Sequence, residues 1–103
     1  MTEPPANWKT CPLCQRPIPP ELESRHHLIP KLKGGSKGPC VTLHSACHSK
    51  IHAELTESEL ARDYHTLEAL QNYPAIARFI RWIARRPPEL QVRNRSLRKR
   101  RKP

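Results

Sequence analysis

The clearest apolar pattern lies late in the chain, where Ile76, Phe79, Ile80 and Ile83 fall at i, i+3, i+4 and i+7. That spacing lays one apolar stripe along a helix. Asn72-Tyr73-Pro74 supplies a cap followed by a proline in the first turn, and Arg86-Pro87-Pro88 stops the helix. Upstream, Thr56-Glu57-Ser58-Glu59 reads as a capping box. It opens a helix whose inner face takes Leu60, Ala61, Tyr64 and His65. Thr66 caps a shorter helix through Leu67, Leu70 and Gln71. Before Thr56 the period changes. Residues 21–30 read as a short strand or extended segment. Residues 31–39 form a turn with three Gly, three Lys and no apolar periodicity, and residues 40–43 a second strand of β-favouring residues. From His44 onward Ala46, Cys47, Ile51, Ala53 and Leu55 suit a helix. The local order is strand, loop, strand, helix, with more helices after it, which makes an α+β fold. Prolines 17, 19 and 20 keep residues 16–20 extended. Four segments follow: an arm at 1–10, a core at 11–55, a helical extension at 56–86, and a tail at 87–103 expected to be disordered alone.

Composition limits the core. The chain has 103 residues, 36% hydrophobic, with two Trp, two Tyr and one Phe. So few large apolar groups give a thin core, and chains of this size often lean on a metal or an oligomer. Lys and Arg total 19 against nine Asp and Glu, a formal net charge of +10 that favours a polyanionic partner. Seven of the basic residues lie from Arg93 onward. No apolar run approaches a membrane span. The N-terminus lacks the basic start and apolar run of a signal peptide. A cytoplasmic location is therefore expected, where disulfides are rare and four cysteines beside clustered histidines favour metal.

The stretch from Ser24 to His52 holds five of the six histidines and two of the four cysteines. Cys11-Pro12-Leu13-Cys14 is a C-x-x-C turn in which two thiolates can grip one Zn²⁺. No βαβ pattern surrounds it, so a redox role is disfavoured. A structural zinc needs four ligands, and Cys11, Cys14, His44 and Cys47 are the expected set, with Cys40 the competitor for His44. His48 and His52, at i and i+4, share a helix face. His26 and His27 are adjacent on a strand, so they point to opposite faces and cannot both bind one ion. One ligand and one base is the division that follows.

The pattern C-x-x-C, then H-H-L-I-P, a Gly-rich loop, then L-H-x-x-C-H-x-x-I-H resembles the HNH endonucleases. Those enzymes use the ββα-metal (His-Me finger) fold, here with a zinc knuckle. The resemblance covers Cys11 to His52. It implies that His27 is the general base and that His26, His48 and His52 bind a catalytic divalent ion, while the paired cysteines are structural. The implied activity is metal-dependent cutting or nicking of DNA. Mostly-histidine ligands suit Zn²⁺, Ni²⁺, Co²⁺ or Mn²⁺, and Mg²⁺ less well.

This sequence departs from the family twice. No Asn lies between His27 and His48, so the middle letter of HNH is missing, and the first member of the second zinc pair is His44 instead of Cys. Thr42, or backbone near Pro39 and Cys40, is the expected substitute for the Asn. Lys31, Lys33 and Lys37 on the loop, the stripe of Arg78, Arg81 and Arg85, and Arg98, Lys99, Arg100 and Arg101 in the tail are the candidate DNA contacts. An ordinary solvent face accounts for the arginine stripe equally well. No element is dedicated to base readout, so sequence preference is expected to be modest or supplied by a protein partner. The alternative is a non-catalytic, zinc-stabilised nucleic-acid-binding module or an adaptor of a larger nuclease complex.

Overall fold

The computed structural model describes residues 5–29 and 38–90. The expectations for the first residues, for Lys31, Lys33 and Lys37 of the loop, and for Arg98, Lys99, Arg100 and Arg101 of the tail lie outside the described residues.

The C-x-x-C turn is closed at its base. Cys11 N–H donates to Arg16 C=O and Gln15 N–H to Cys11 C=O, both at 2.9 Å. These bonds bracket the turn with a two-residue antiparallel ladder, β1 (Lys9–Thr10) against β2 (Pro17–Ile18). The sequence did not announce this ladder, because two-residue strands have no periodicity to read. The turn needs a left-handed residue, and Gln15 takes it at φ 64°. Prolines 19 and 20 then start a single 3-10 turn, Pro20–Leu22, where a missing N–H costs nothing. Glu21 and Leu22 therefore lie before the strand that was expected to include them.

β3 (Glu23–His27) and β4 (Cys40–His44) form an antiparallel hairpin with Ser24 opposite Leu43, His26 opposite Val41, and His27 opposite Cys40. Across the neck of the intervening loop, Leu28 N–H donates to Pro39 C=O at 3.1 Å. β4 runs directly into α1 (Ser45–Glu54), with His44 as its N-cap. The order β3, β4, α1 is a ββα unit.

Three more helices follow. α2 (Glu57–Asp63) begins with the Thr56–Glu59 capping box, and α3 (Leu67–Asn72) with the Thr66 hydroxyl accepting from Ala69 N–H. α4 (Pro74–Ile83) has Pro74 in its first turn as expected, but Tyr73 is its cap and makes no side-chain capping bond. Asn72 is the last residue of α3 and is not free to cap α4. His65 is exposed, while Leu60 is fully buried and Tyr64, the C-cap of α2, packs partly buried against the core. The whole is a small α+β protein with two short antiparallel sheets and four helices among the described residues.

One buried cluster joins Cys11, Leu13, Cys14 and Ile18 of the knuckle to Leu43, Cys47 and Ile51, and on to Leu60, Leu70, Ile76 and Ile83. Fully burying each Ile or Leu contributes about 1.5–3 kcal/mol. α4 lays Ile76 and Ile83 into that cluster and packs against α1 and α3. No helix among the described residues is long and apolar enough to cross a membrane.

The left-handed Gln15 generates a stability prediction. That conformation costs an L-residue about 1–2 kcal/mol, of which glycine returns roughly half to its larger unfolded-state entropy. Gln15→Gly should raise stability by about 0.5–1 kcal/mol, read as a melting-temperature increase of roughly 2–8 °C by thermal denaturation.

Candidate metal centres

Cys11, Cys14 and Cys47 are buried, and their sulfurs lie within 4.8 Å of one another. The knuckle turn presents the first two, and the first turn of α1 presents the third. Hydrogen bonds from the thiols of Cys11 and Cys47, then the Arg16 side chain and backbone, hold Cys14 well below the usual thiol range. The same sharing pushes Cys11 and Cys47 up. Without a cation, three packed sulfurs cannot all ionise; a divalent ion lets them. Arg16 is itself only 3% exposed. Its Nε donates to Cys14 Sγ at 3.5 Å, and its Nη1 donates to the carbonyls of Pro87 and Leu90. A buried guanidinium needs an anion nearby, and thiolates provide one.

His44, expected as the fourth ligand, is not brought into this cluster. Its ring is fully buried and both nitrogens are engaged. Nδ1 accepts from Ala46 N–H at 3.1 Å, which caps α1, and Nε2 donates to Pro88 C=O at 2.6 Å. Its backbone N–H instead supports the Cys11 sulfur. The competitor, Cys40, is exposed at the far end of β4 and turns toward Gly38 C=O. Neither residue joins the three sulfurs.

The second cluster is made of imidazoles. His26, His48 and His52 place one ring nitrogen each within 4.8 Å of one another. Their ring centroids are 4.8–5.4 Å apart. Strand alternation turns Ser24 and His26 toward α1, and the i, i+4 spacing brings His48 and His52 to meet them. His48 Nε2 and His52 Nε2 are 3.1 Å apart. His26 is 1% exposed, yet neither ring nitrogen has a hydrogen-bond partner. A buried, unpartnered polar pair is costly unless something completes it, and a cation facing three neutral imidazoles would. Burial, and then the neighbouring histidine charges, lower His26 to about 4. Burial, followed by His52 and His27, lowers His48 to about 4. Burial also lowers His52. All three therefore offer lone pairs at neutral pH.

His27 follows His26 on β3 and stays outside the trio, half-buried on the other side of the strand. It is near enough for its charge to lower His26 and His48. Arg78 and Arg81 are exposed on α4, and Arg85 is exposed in the turn beyond it.

A ββα unit with an imidazole trio between strand and helix, beside a thiol knuckle, defines a small protein built around two potential metal centres. A family model described as HNH endonuclease matches residues 11–54, the span holding both centres. The chain is also 38% identical over 92 residues to the uncharacterized protein YisB of Bacillus subtilis (strain 168), covering 89% of this chain and 90% of that one. The chain belongs to the HNH endonuclease family. No solved structure matches it.

Two residues at the centres had no signal in the sequence. Arg16 passes as an ordinary surface cation until its partners, 71 and 74 residues away, are in place. Ser24 lies 24 residues from His48, yet its hydroxyl sits 2.5 Å from His48 Nδ1. With the Nδ1 proton donated to Ser24, the lone pair of His48 rests on Nε2, facing His52. Partners of this kind fix ligand tautomer and orientation. Ser24→Ala should weaken divalent-ion binding at the trio by about 10–100-fold, measured by competition with a chromogenic chelator, with Ser24→Thr restoring most of it. His26 and His48 protonate only as the pH approaches about 4. The bound ion should therefore be retained at mildly acidic pH and released as the pH falls through that value.

Proposed function

We propose that this protein is a metal-dependent endonuclease that hydrolyses DNA phosphodiester bonds, with His27 as the general base. The observation that carries the reading is the buried, unpartnered His26 facing His48 and His52, one residue from an imidazole that the trio leaves free. Three imidazole donors fit Zn²⁺, Ni²⁺, Co²⁺ or Mn²⁺, while Mg²⁺ prefers oxygen. A divalent ion held there supplies Lewis-acid neutralisation of the charge that develops on the phosphate and the leaving oxygen.

The chain's own residues do the rest. His27 accepts a proton from water as its oxygen attacks phosphorus. The P–O3′ bond breaks, and the departing oxygen leaves as the 3′-hydroxyl after protonation from solvent. Ser24 keeps His48 in the orientation that leaves Nε2 free. The thiols of Cys11, Cys14 and Cys47 would supply three of the four ligands of a structural zinc, fixing the start of α1 and with it the position of His48. His44 caps α1 and supports the Cys11 sulfur with its backbone N–H, and it would complete the zinc site as fourth ligand by giving up one ring hydrogen bond, that of Nδ1 with Ala46 N–H. Lys31, Lys33 and Lys37, with the tail residues Arg98, Lys99, Arg100 and Arg101, are proposed phosphate contacts on charge alone. The hairpin neck, where Leu28 N–H meets Pro39 C=O, takes over the loop-holding part of the missing Asn.

That missing Asn favours a second reading, a zinc-stabilised nucleic-acid-binding module without catalysis. A plasmid-relaxation assay separates the two. Protein stripped of weakly bound metal receives Mn²⁺, Ni²⁺, Co²⁺, Mg²⁺ or Zn²⁺ singly. The nuclease reading expects nicking or linearisation that depends on the ion and falls at least 100-fold in His27→Ala, with DNA binding kept. Binding without cleavage under every ion would leave the second reading.

A further inference from the structure

α4 carries a surface that the proposed nuclease site does not use. Its inner side takes Ile76 and Ile83 into the core. Its outer side carries Arg78, Arg81 and Trp82 at i, i+3 and i+4, all exposed, with Arg85 exposed in the next turn. Trp82 is the exposed large hydrophobic residue among those described, at 45%. The Arg86 guanidinium lies 4.8 Å from its ring centroid, and Phe79 lies 6.1 Å away. From Ala69 to Pro88 the chain has no Asp or Glu. Among the described residues no ion pair neutralises these arginines.

Charge decides what covers this face. The basic tail and a second copy of the chain both carry the same sign, so neither is drawn to it. A membrane would need the apolar side of α4, which is committed to the core. A polyanion fits. The flat, half-exposed indole narrows the choice further, because a paired duplex hides its base faces while an unpaired strand offers them for stacking.

Position points the same way. α4 packs on α1 where Lys50 Nζ lies 5.7 Å from the Phe79 ring centroid. Lys50 is two residues from both His48 and His52, so it lies on the opposite side of α1, a step of about 200°. The arginine–tryptophan face and the histidine trio therefore look in different directions. A duplex at the trio is too stiff to fold around a helix about 10 Å thick. An unpaired strand can.

We propose that Arg78, Arg81, Trp82 and Arg85 form a second nucleic-acid contact that binds an unpaired DNA strand, with Trp82 stacking on a base. This rests on the nuclease reading for its biological sense and names its substrate: DNA with a single-stranded segment next to the duplex. The measurement itself depends on binding alone, so it fails or succeeds independently of cleavage.

The test uses the full, zinc-loaded chain carrying His27→Ala, so that no substrate is cut. Fluorescence anisotropy gives the affinity for a labelled single-stranded oligonucleotide and for the matching duplex. Trp82→Ala should weaken single-strand binding by about 5- to 150-fold, the worth of one base–aromatic stack, and change duplex binding less than twofold. Trp82→Phe should keep most of the affinity. Arg78→Gln with Arg81→Gln should reduce the salt dependence of single-strand binding. In a Trp8→Phe background, saturation with the single strand should quench Trp82 emission. Unchanged single-strand affinity in Trp82→Ala, or Trp82 emission indifferent to the strand, would overturn the proposal and leave the face to a protein partner. Equal loss for duplex and single strand would also overturn it, reducing the face to phosphate contacts.

Discussion

The meeting of Cys47 with Cys11 and Cys14 is the contact on which the rest of this structure depends. It ties the first turn of α1 to a knuckle that the chain completes before any strand or helix of the site begins. Cys47 and His48 are neighbours, and one helical step of about 100° sends them to different sides of α1. The thiol cluster therefore sets the rotation of α1 about its axis, and that rotation aims His48 and His52 at β3. With 36% hydrophobic residues and one Phe, apolar packing alone is a weak means of holding a helix to the fraction of an ångström that three ligands require.

The same region is fastened from the C-terminal side. Arg16 reaches Pro87 and Leu90, and His44 reaches Pro88. The segment after α4 is thus bonded to the knuckle and to the cap of α1. The helices after Thr56 close a loop back onto the thiols, and they do so through buried polar groups whose loss would leave unpaired donors. A domain with few large apolar side chains gains specificity this way that its core does not supply.

Much of this was legible in local sequence. The capping residues Thr56 and Thr66 act within three residues, so their signals survive without tertiary context. The opposed faces of His26 and His27 follow from strand alternation, and the pairing of His48 with His52 from helical spacing. Other features were hidden for physical reasons. The β1–β2 ladder is too short to have a period. Asn72 was a plausible cap for α4 until α3 was seen to end on it. Spacing marked His44 as a zinc ligand, but spacing cannot register that Ala46 N–H engages its Nδ1 and the Pro88 carbonyl its Nε2. Ser24 and Arg16 act on partners distant in sequence, where no local pattern reaches.

The central claim is that one helix serves two metal centres, of sulfur and of nitrogen. Anomalous diffraction from crystals grown with zinc tests it most directly, with data on both sides of the zinc edge. The account predicts two anomalous peaks per chain, one among the sulfurs of Cys11, Cys14 and Cys47 and one among the ring nitrogens of His26, His48 and His52. A single peak at the thiols, with the histidine trio empty at saturating zinc, would contradict it.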